Sequence, residues 1–295
     1  MSQCTELASL IRLNCQTAKV IHLKFELVNY LFGGQNIKRT KKILEKRIMD
    51  LQNSWKWSSN YDLTNYTLVV PSVAVGNVAQ LACDLLIATL RMEKLVSIYT
   101  TAQVPLVGCD PYDLVSSTLS TSCELYVSAI HNLLVLQVRS PLIQKRARSF
   151  LENLVDQFQQ KQIKDIIILS SSFAHEKKYI MTSPFRFIAS NNTPYSERIQ
   201  MAKLIPHEQH ESDIKIFGGG YAVMLFNICK EKSLPCLCLY KYCSEGDNVP
   251  DAYDMVEQLQ NIFPLLDRDQ NPTTQFMQPA SWKLLFGRPP PQEIY

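Results

Sequence analysis

The stretch Tyr66-Thr-Leu-Val-Val-Pro-Ser-Val-Ala-Val-Gly-Asn-Val-Ala-Gln-Leu-Ala-Cys-Asp-Leu-Leu-Ile-Ala-Thr-Leu90 decides the fold class. Its first five residues form a short β-rich run that stops at Pro71. From Val75 the period changes. Val78, Leu81, Ala82, Leu85, Leu86 and Thr89 recur at helical spacing and mark one broad apolar face of a helix over 75–90. Residues 95–100 return to strand character. Strand, tight turn, helix, strand is the βαβ signature of a sheet with parallel members.

Toward the C-terminus the same alternation continues. Residues 105–122 are loop-rich, and 124–128 with 133–138 read as two strands joined by a short turn. The second alternates weakly, as a strand buried on both faces does. Residues 143–160 form an amphipathic helix with Phe150, Leu151, Leu154, Val155 and Phe158 on one side. The run 165–169, aliphatic from Ile166 onward, is the clearest central strand, ending in Ser170, Ser171 and Ser172. Residues 175–211 show little regular pattern except a helix candidate at 196–204, which is long for a loop and points to a partner-facing excursion. A helix at 221–230, a strand at 236–240 and a helix at 250–263 with Pro250 in its first turn complete the body. The expected class is α/β: a Rossmann-like layered domain with a mostly parallel central sheet. It divides into a basic N-terminal extension (1–64), an α/β domain (65–265) and a Pro-containing C-terminal tail (266–295).

Composition narrows the setting. With 46% hydrophobic and 19% charged residues, the 295-residue chain is rich enough in apolar side chains to bury a substantial core and too rich for a disordered one. No apolar run approaches the length of a membrane span. His22, Lys24 and Glu26 interrupt the apolar stretch 20–32, so no secretory leader is expected there. Nine cysteines at irregular spacing read as reduced, buried thiols of an intracellular protein. The net charge of +3 is uneven, because residues 1–64 hold ten Lys/Arg against five Asp/Glu. The cluster Lys38, Arg39, Lys41, Lys42, Lys46 and Arg47 could grip nucleic acid, but a solvated helix face or a poorly ordered extension is the expectation, because such basic runs are common.

Five groups of residues could carry chemistry. Gly218-Gly219-Gly220 at a helix start could offer N–H groups to phosphate, yet the run lacks both the spaced GxGxxG pattern and the P-loop lysine. Ser170–Ser172 stand where open α/β sheets bind ligands, with His175 three residues on, but no GxSxG elbow surrounds them. His207-Glu208-Gln209-His210 falls one residue short of the zincin HExxH spacing, and Cys236 with Cys238 has no second ligand pair. Glu245, Asp247, Asp251 and Asp254 surround the last helix, where carboxylates also serve as caps. No nucleophile, base and stabiliser come together, so no catalytic residue, cofactor or metal is expected. An enzyme of nucleoside-phosphorylase-like fold, using the Ser170–Ser172 and Gly218–Gly220 neighbourhood, is the alternative.

Several segments together resemble the proteasome assembly chaperone 2 family. They are Leu68-Val-Val-Pro-Ser-Val-Ala-Val-Gly-Asn-Val-Ala-Gln-Leu-Ala82, Tyr99-Thr-Thr with Val104-Pro-Leu-Val-Gly108, Leu136-Gln-Val-Arg-Ser140, Ile168-Leu-Ser-Ser-Ser172, Ser183-Pro-Phe-Arg-Phe187, Gly218–Gly220, Ser244-Glu-Gly-Asp-Asn-Val-Pro-Asp-Ala252 and Pro279-Ala-Ser-Trp-Lys-Leu-Leu-Phe286. The resemblance implies a non-catalytic chaperone that pairs with proteasome assembly chaperone 1. The pair would bind proteasome α-subunits, promote α-ring assembly and prevent off-pathway α-ring dimers. It also implies a cytoplasmic and nuclear protein without nucleic-acid or membrane partners. Relatives engage α-ring pockets through a C-terminal hydrophobic–Tyr–any tail, where a free carboxylate meets a lysine and an aromatic ring fills an apolar crevice. Here Ile294 and Tyr295 supply those residue types, with Tyr295 terminal rather than penultimate. Residues 1–64 have no counterpart in the family.

Overall fold

In the computed structural model, residues 53–58, 61–208, 214–266 and 275–284 are described. Ten strands are defined among them: β1 (Asn53–Trp57), β2 (Thr67–Pro71), β3 (Glu93–Thr100), β4 (Val107–Cys109), β5 (Leu119–Thr121), β6 (Cys123–Ser128), β7 (Leu133–Val138), β8 (Asp165–Phe173), β9 (Phe185–Ala189) and β10 (Cys236–Cys243). The helices are α1 (Val78–Thr89), α2 (Gln144–Gln160), α3 (Ser196–Met201), α4 (Ala222–Glu231) and α5 (Val249–Ile262).

Successive side chains on a strand point to opposite faces, so a strand covered on both sides must be apolar at every position. The central strands meet that demand. Leu68 and Val70 of β2, Ile166 and Ile168 of β8, and Cys236 and Cys238 of β10 enter one apolar cluster with α2 and α4. Val69, Ile167, Leu169, Leu237 and Leu239 enter a second, with α1 and α5. The result is three layers, helices on both faces of one sheet. Each fully buried aliphatic side chain in β8 contributes about 1.5–3 kcal/mol relative to exposure.

The large sheet runs β1-β3-β6-β7-β2-β8-β10-β9. Its four middle strands are parallel: β7 with β2, β2 with β8, and β8 with β10. The flanks are antiparallel, β6 pairing with β7 and with β3, and β9 with β10. The α/β class and mostly parallel centre read from sequence are present. The long connection β7–α2–β8 crosses over β2, leaving the first strand of the body in the middle of the sheet.

Several features depart from the sequence reading; strands β4 and β5 lie in the stretch read as loop-rich, and β1 lies within the stretch assigned to the N-terminal extension. Strand β8 continues four residues beyond 169, because each of its serine hydroxyls finds a backbone carbonyl and stays buried without cost. Strand β9 lies in the stretch read as irregular; Arg186 at its second position breaks the apolar pattern yet is wholly buried. Within the stretch read as a tail, Phe276 and Trp282 join the cluster around α1 and α5. There the Met277 amide donates to Thr89 Oγ1 (2.7 Å) and the Ser281 amide to the Pro111 carbonyl (3.0 Å). The cluster Lys38–Arg47, the residues Gln209 and His210, and the terminal Ile294 and Tyr295 lie outside the described residues.

Candidate functional site

Open α/β sheets hold ligands at the carboxyl ends of their strands. Here the chain fills that rim itself. Ser170 Oγ and Ser72 Oγ both donate to the Gly219 carbonyl, at 3.0 and 2.8 Å. Ser171 Oγ donates to the Val75 carbonyl (2.5 Å) and Ser172 Oγ to that of Phe217 (2.8 Å). Ser72 Oγ in turn accepts the Tyr221 amide (2.9 Å), and the Tyr221 hydroxyl donates to the Pro71 carbonyl (2.5 Å). The Gly218–Gly220 turn therefore lies down on the ends of β2 and β8 instead of arching over an open crevice.

Glycine is required for that approach. Gly220 has φ +60°, and a Cβ there would stand 2.2 Å from the Val73 carbonyl oxygen. The serines and glycines singled out from sequence are thus brought together, but as a closure of the rim. Ser170–Ser172 and His175 do not pair. Each hydroxyl proton goes to a carbonyl, while the His175 ring stacks on Phe173 with centroids 5.1 Å apart.

Beside this closure, a cavity of about 180 Å³ opens at the ends of β8 and β10, lined by Ser172, His207, Glu208, Phe217, Tyr240 and Tyr242 among others. The His207 Nδ1 and Tyr240 hydroxyl are 2.7 Å apart. Burial pushes the Tyr240 phenol well up, so it keeps its proton throughout the neutral range. Glu208 pairs with the buried Arg186, whose Nη2 lies 2.9 Å from Oε1. Arg186 also donates to the carbonyls of Ser183 (2.6 Å) and Phe185 (2.8 Å). His207 and Glu208 hold β9 and its flanking loop together. Cys236 and Cys238 project into the core beside α4, where burial pushes the Cys238 thiol up to about 12 and keeps it unreactive.

The acidic group around α5 turns out to have a cation at its centre. Lys241 Nζ, on β10 and almost fully buried, reaches Asp251 Oδ1 and Asp254 Oδ2, each at 2.6 Å. Burial alone would lower its pKa; the hydrogen bonds and charges of Asp251 and Asp254 outweigh that, and the net shift is upward. Asp247 Oδ1 accepts the Val249 amide (3.1 Å) at the first residue of the helix. Sequence reading found the carboxylates and missed Lys241 and Arg186. The available signal was a lone charge inside an otherwise apolar strand, which when buried demands a partner.

One stretch of the surface is apolar. Six consecutive residues, Val104–Cys109, are exposed and uncharged, and Leu114 and Val115 beside them are more than half exposed. This arm is the most extended run of that kind among the described residues.

Fold and rim together define a layered α/β protein in which the ends of β2 and β8 are covered by its own backbone, with a small cavity left beside them at β8 and β10. Residues 68–267 match the PAC2 family, and the chain belongs to that family. It is 34% identical over 254 residues to proteasome assembly chaperone 2 of Homo sapiens, a match spanning 79% of this chain and 96% of the human one. The Mus musculus protein of the same name is 37% identical over 255 residues, with 79% and 96% covered. Among solved structures, PbaA of Pyrococcus furiosus, an archaeal homolog of proteasome-assembly chaperone, shares the fold with a TM-score of 0.60. Its identity is 13%, with 74% of this chain and 89% of PbaA covered.

Proposed function

We propose that this protein is a non-catalytic chaperone of proteasome assembly. One observation carries the reading: relatives named proteasome assembly chaperone 2 match along 92–96% of their own length at 33–37% identity. In this reading the chain pairs with proteasome assembly chaperone 1, binds proteasome α-subunits in the cytoplasm and nucleus, promotes α-ring assembly and prevents off-pathway α-ring dimers. Ile294 and Tyr295 supply the apolar and aromatic groups for an α-ring pocket. An exposed apolar arm at Val104–Cys109 and rim hydroxyls committed to the chain's own carbonyls fit recognition of proteins by shape.

The test is affinity purification of the full chain from its own cells with identification of the bound proteins. Chaperone 1 and free α-subunits are expected, without mature capped proteasomes. Recovery of the chain alone, or with nucleic acid and no proteasome precursor, would overturn the reading.

A further inference from the structure

Strands β4 and β5 form a two-stranded sheet apart from the main one, paired Val107 to Thr121, Gly108 to Ser120 and Cys109 to Leu119. Every residue of β4 is exposed, and β5 is its one neighbour among the described strands. The far edge of β4 is therefore unpaired among the described strands and its residues are open to solvent. Proteins guard such edges by keeping them short, with charged side chains or proline, by a bulge or by a covering loop. Here the three-residue β4 is short and Pro105 stands just before it, yet the edge from Leu106 to Cys109 reads Leu-Val-Gly-Cys, without a charge. At Gly108 a side chain would meet nothing within 4 Å, so a neighbouring strand can approach that position closely.

The arm is not loose. Before it, Ala102 and Gln103 are buried; the Ala102 carbonyl accepts the Ile143 amide (2.7 Å), and Gln103 Nε2 donates to the Ser140 carbonyl (3.0 Å). Behind it, the Tyr112 hydroxyl donates to Asp84 Oδ1 (2.6 Å), a carboxylate of α1 that also receives Gln137 Nε2 (2.7 Å) and Arg139 Nη2 (2.9 Å). Asp110 closes the turn between, accepting the Tyr112 amide (2.9 Å) and the Thr118 hydroxyl (3.0 Å). An uncharged edge held on two buried footings is prepaid in ordering entropy, the condition under which a docking strand gains most affinity.

We infer that β4 is a strand-addition site, and that its occupant is an extended segment of the pairing chaperone, apolar at alternate positions and flanked by basic residues. The inference rests on the reading of this chain as one half of a chaperone pair. Three observations select that occupant. The patch is apolar and depleted in charge, the chemistry of long-lived pairing, whereas a surface released after each round of assembly is more polar. Main-chain groups along an open edge accept a strand, not a helix or a small molecule. The only charges in residues 101–122 are Asp110 and Asp113, so complementary charge on the partner is positive.

Hydrogen exchange on the full chain, alone and with purified proteasome assembly chaperone 1, tests this directly. Amides of 107–109 are expected to slow at least tenfold in the complex, and the double variant L106D/V107D to weaken pairing by roughly 30-fold or more, the loss typical of a central hot spot. Binding of free α-subunits to the variant is expected to stay unchanged. A stable complex in which 107–109 still exchange as in the free chain overturns the strand-addition site and leaves the chaperone reading standing. Slowing that appears without chaperone 1 and grows with protein concentration makes the occupant a second copy and overturns the proposal. Absence of any complex with chaperone 1 removes both.

Discussion

At single positions, the structure turns on a few groups that tolerate no neighbour or no charge. Replacing Gly220 with alanine puts a Cβ 2.2 Å from the Val73 carbonyl oxygen, at a φ that side chains avoid. The expected cost is about 3 kcal/mol, from backbone strain plus the shift of a buried segment, read as a lower midpoint in urea unfolding with an unchanged slope. Asp165 gives a pH signature. It is fully buried, accepts from Thr67 Oγ1 at 2.8 Å, and has a second oxygen without a hydrogen bond. Burial raises its pKa above the ordinary 3.8. Below that value both folded and unfolded chains carry the proton, so folding loses nothing. As pH rises, the unfolded carboxylic acid ionises freely while the folded one resists, and stability falls until the folded group ionises too. A carboxamide in its place cannot ionise. The variant D165N is therefore expected to gain stability relative to the parent as pH climbs from about 4, with no change in their difference below it; a flat difference between the two across pH 3–7 in thermal unfolding would exclude this account.

Among the elements, β9 depends most on a single contact. Arg186 is completely buried in it, and its main anionic partner is Glu208, 2.9 Å away and only slightly exposed. Removing one member of such a pair strands the other. R186M is expected to lose about 3–5 kcal/mol, and a double-mutant cycle with E208Q should return a coupling well above that of surface pairs such as Arg148 with Glu152. Strand β9 is also the plainest case of what sequence reading misses. Strands β2, β7, β8 and β10 are legible because burial on both faces leaves continuous apolar runs. Helices α1, α2 and α5 are legible because burial on one face leaves a helical period. A strand whose buried cation is answered by a carboxylate 22 residues away carries no local pattern at all. The same holds at the rim, where the glycines and serines were visible as types, but the carbonyls that occupy the hydroxyls of Ser172 and Ser72 lie 45 and 147 positions distant.

At the scale of the molecule, the α/β body carries exposed apolar features. Deleting Ile294 and Tyr295 is expected to weaken binding to α-subunits tenfold or more while leaving the melting temperature and pairing with chaperone 1 as they were; unchanged α-subunit affinity, measured by titration, would discard the tail as an anchor and spare the rest. The topology has a further consequence, for synthesis. Strand β2 lies between β7 and β8, and Thr67 closes onto Asp165, 98 residues later in the chain. At ribosomal speeds of about 5–20 residues per second, roughly 5–20 s separate the emergence of the two. Through that interval the nascent polypeptide holds β2, apolar at Leu68, Val69 and Val70, with at least one flank bare, which makes this protein itself a client for whatever shields unfinished chains at the exit tunnel.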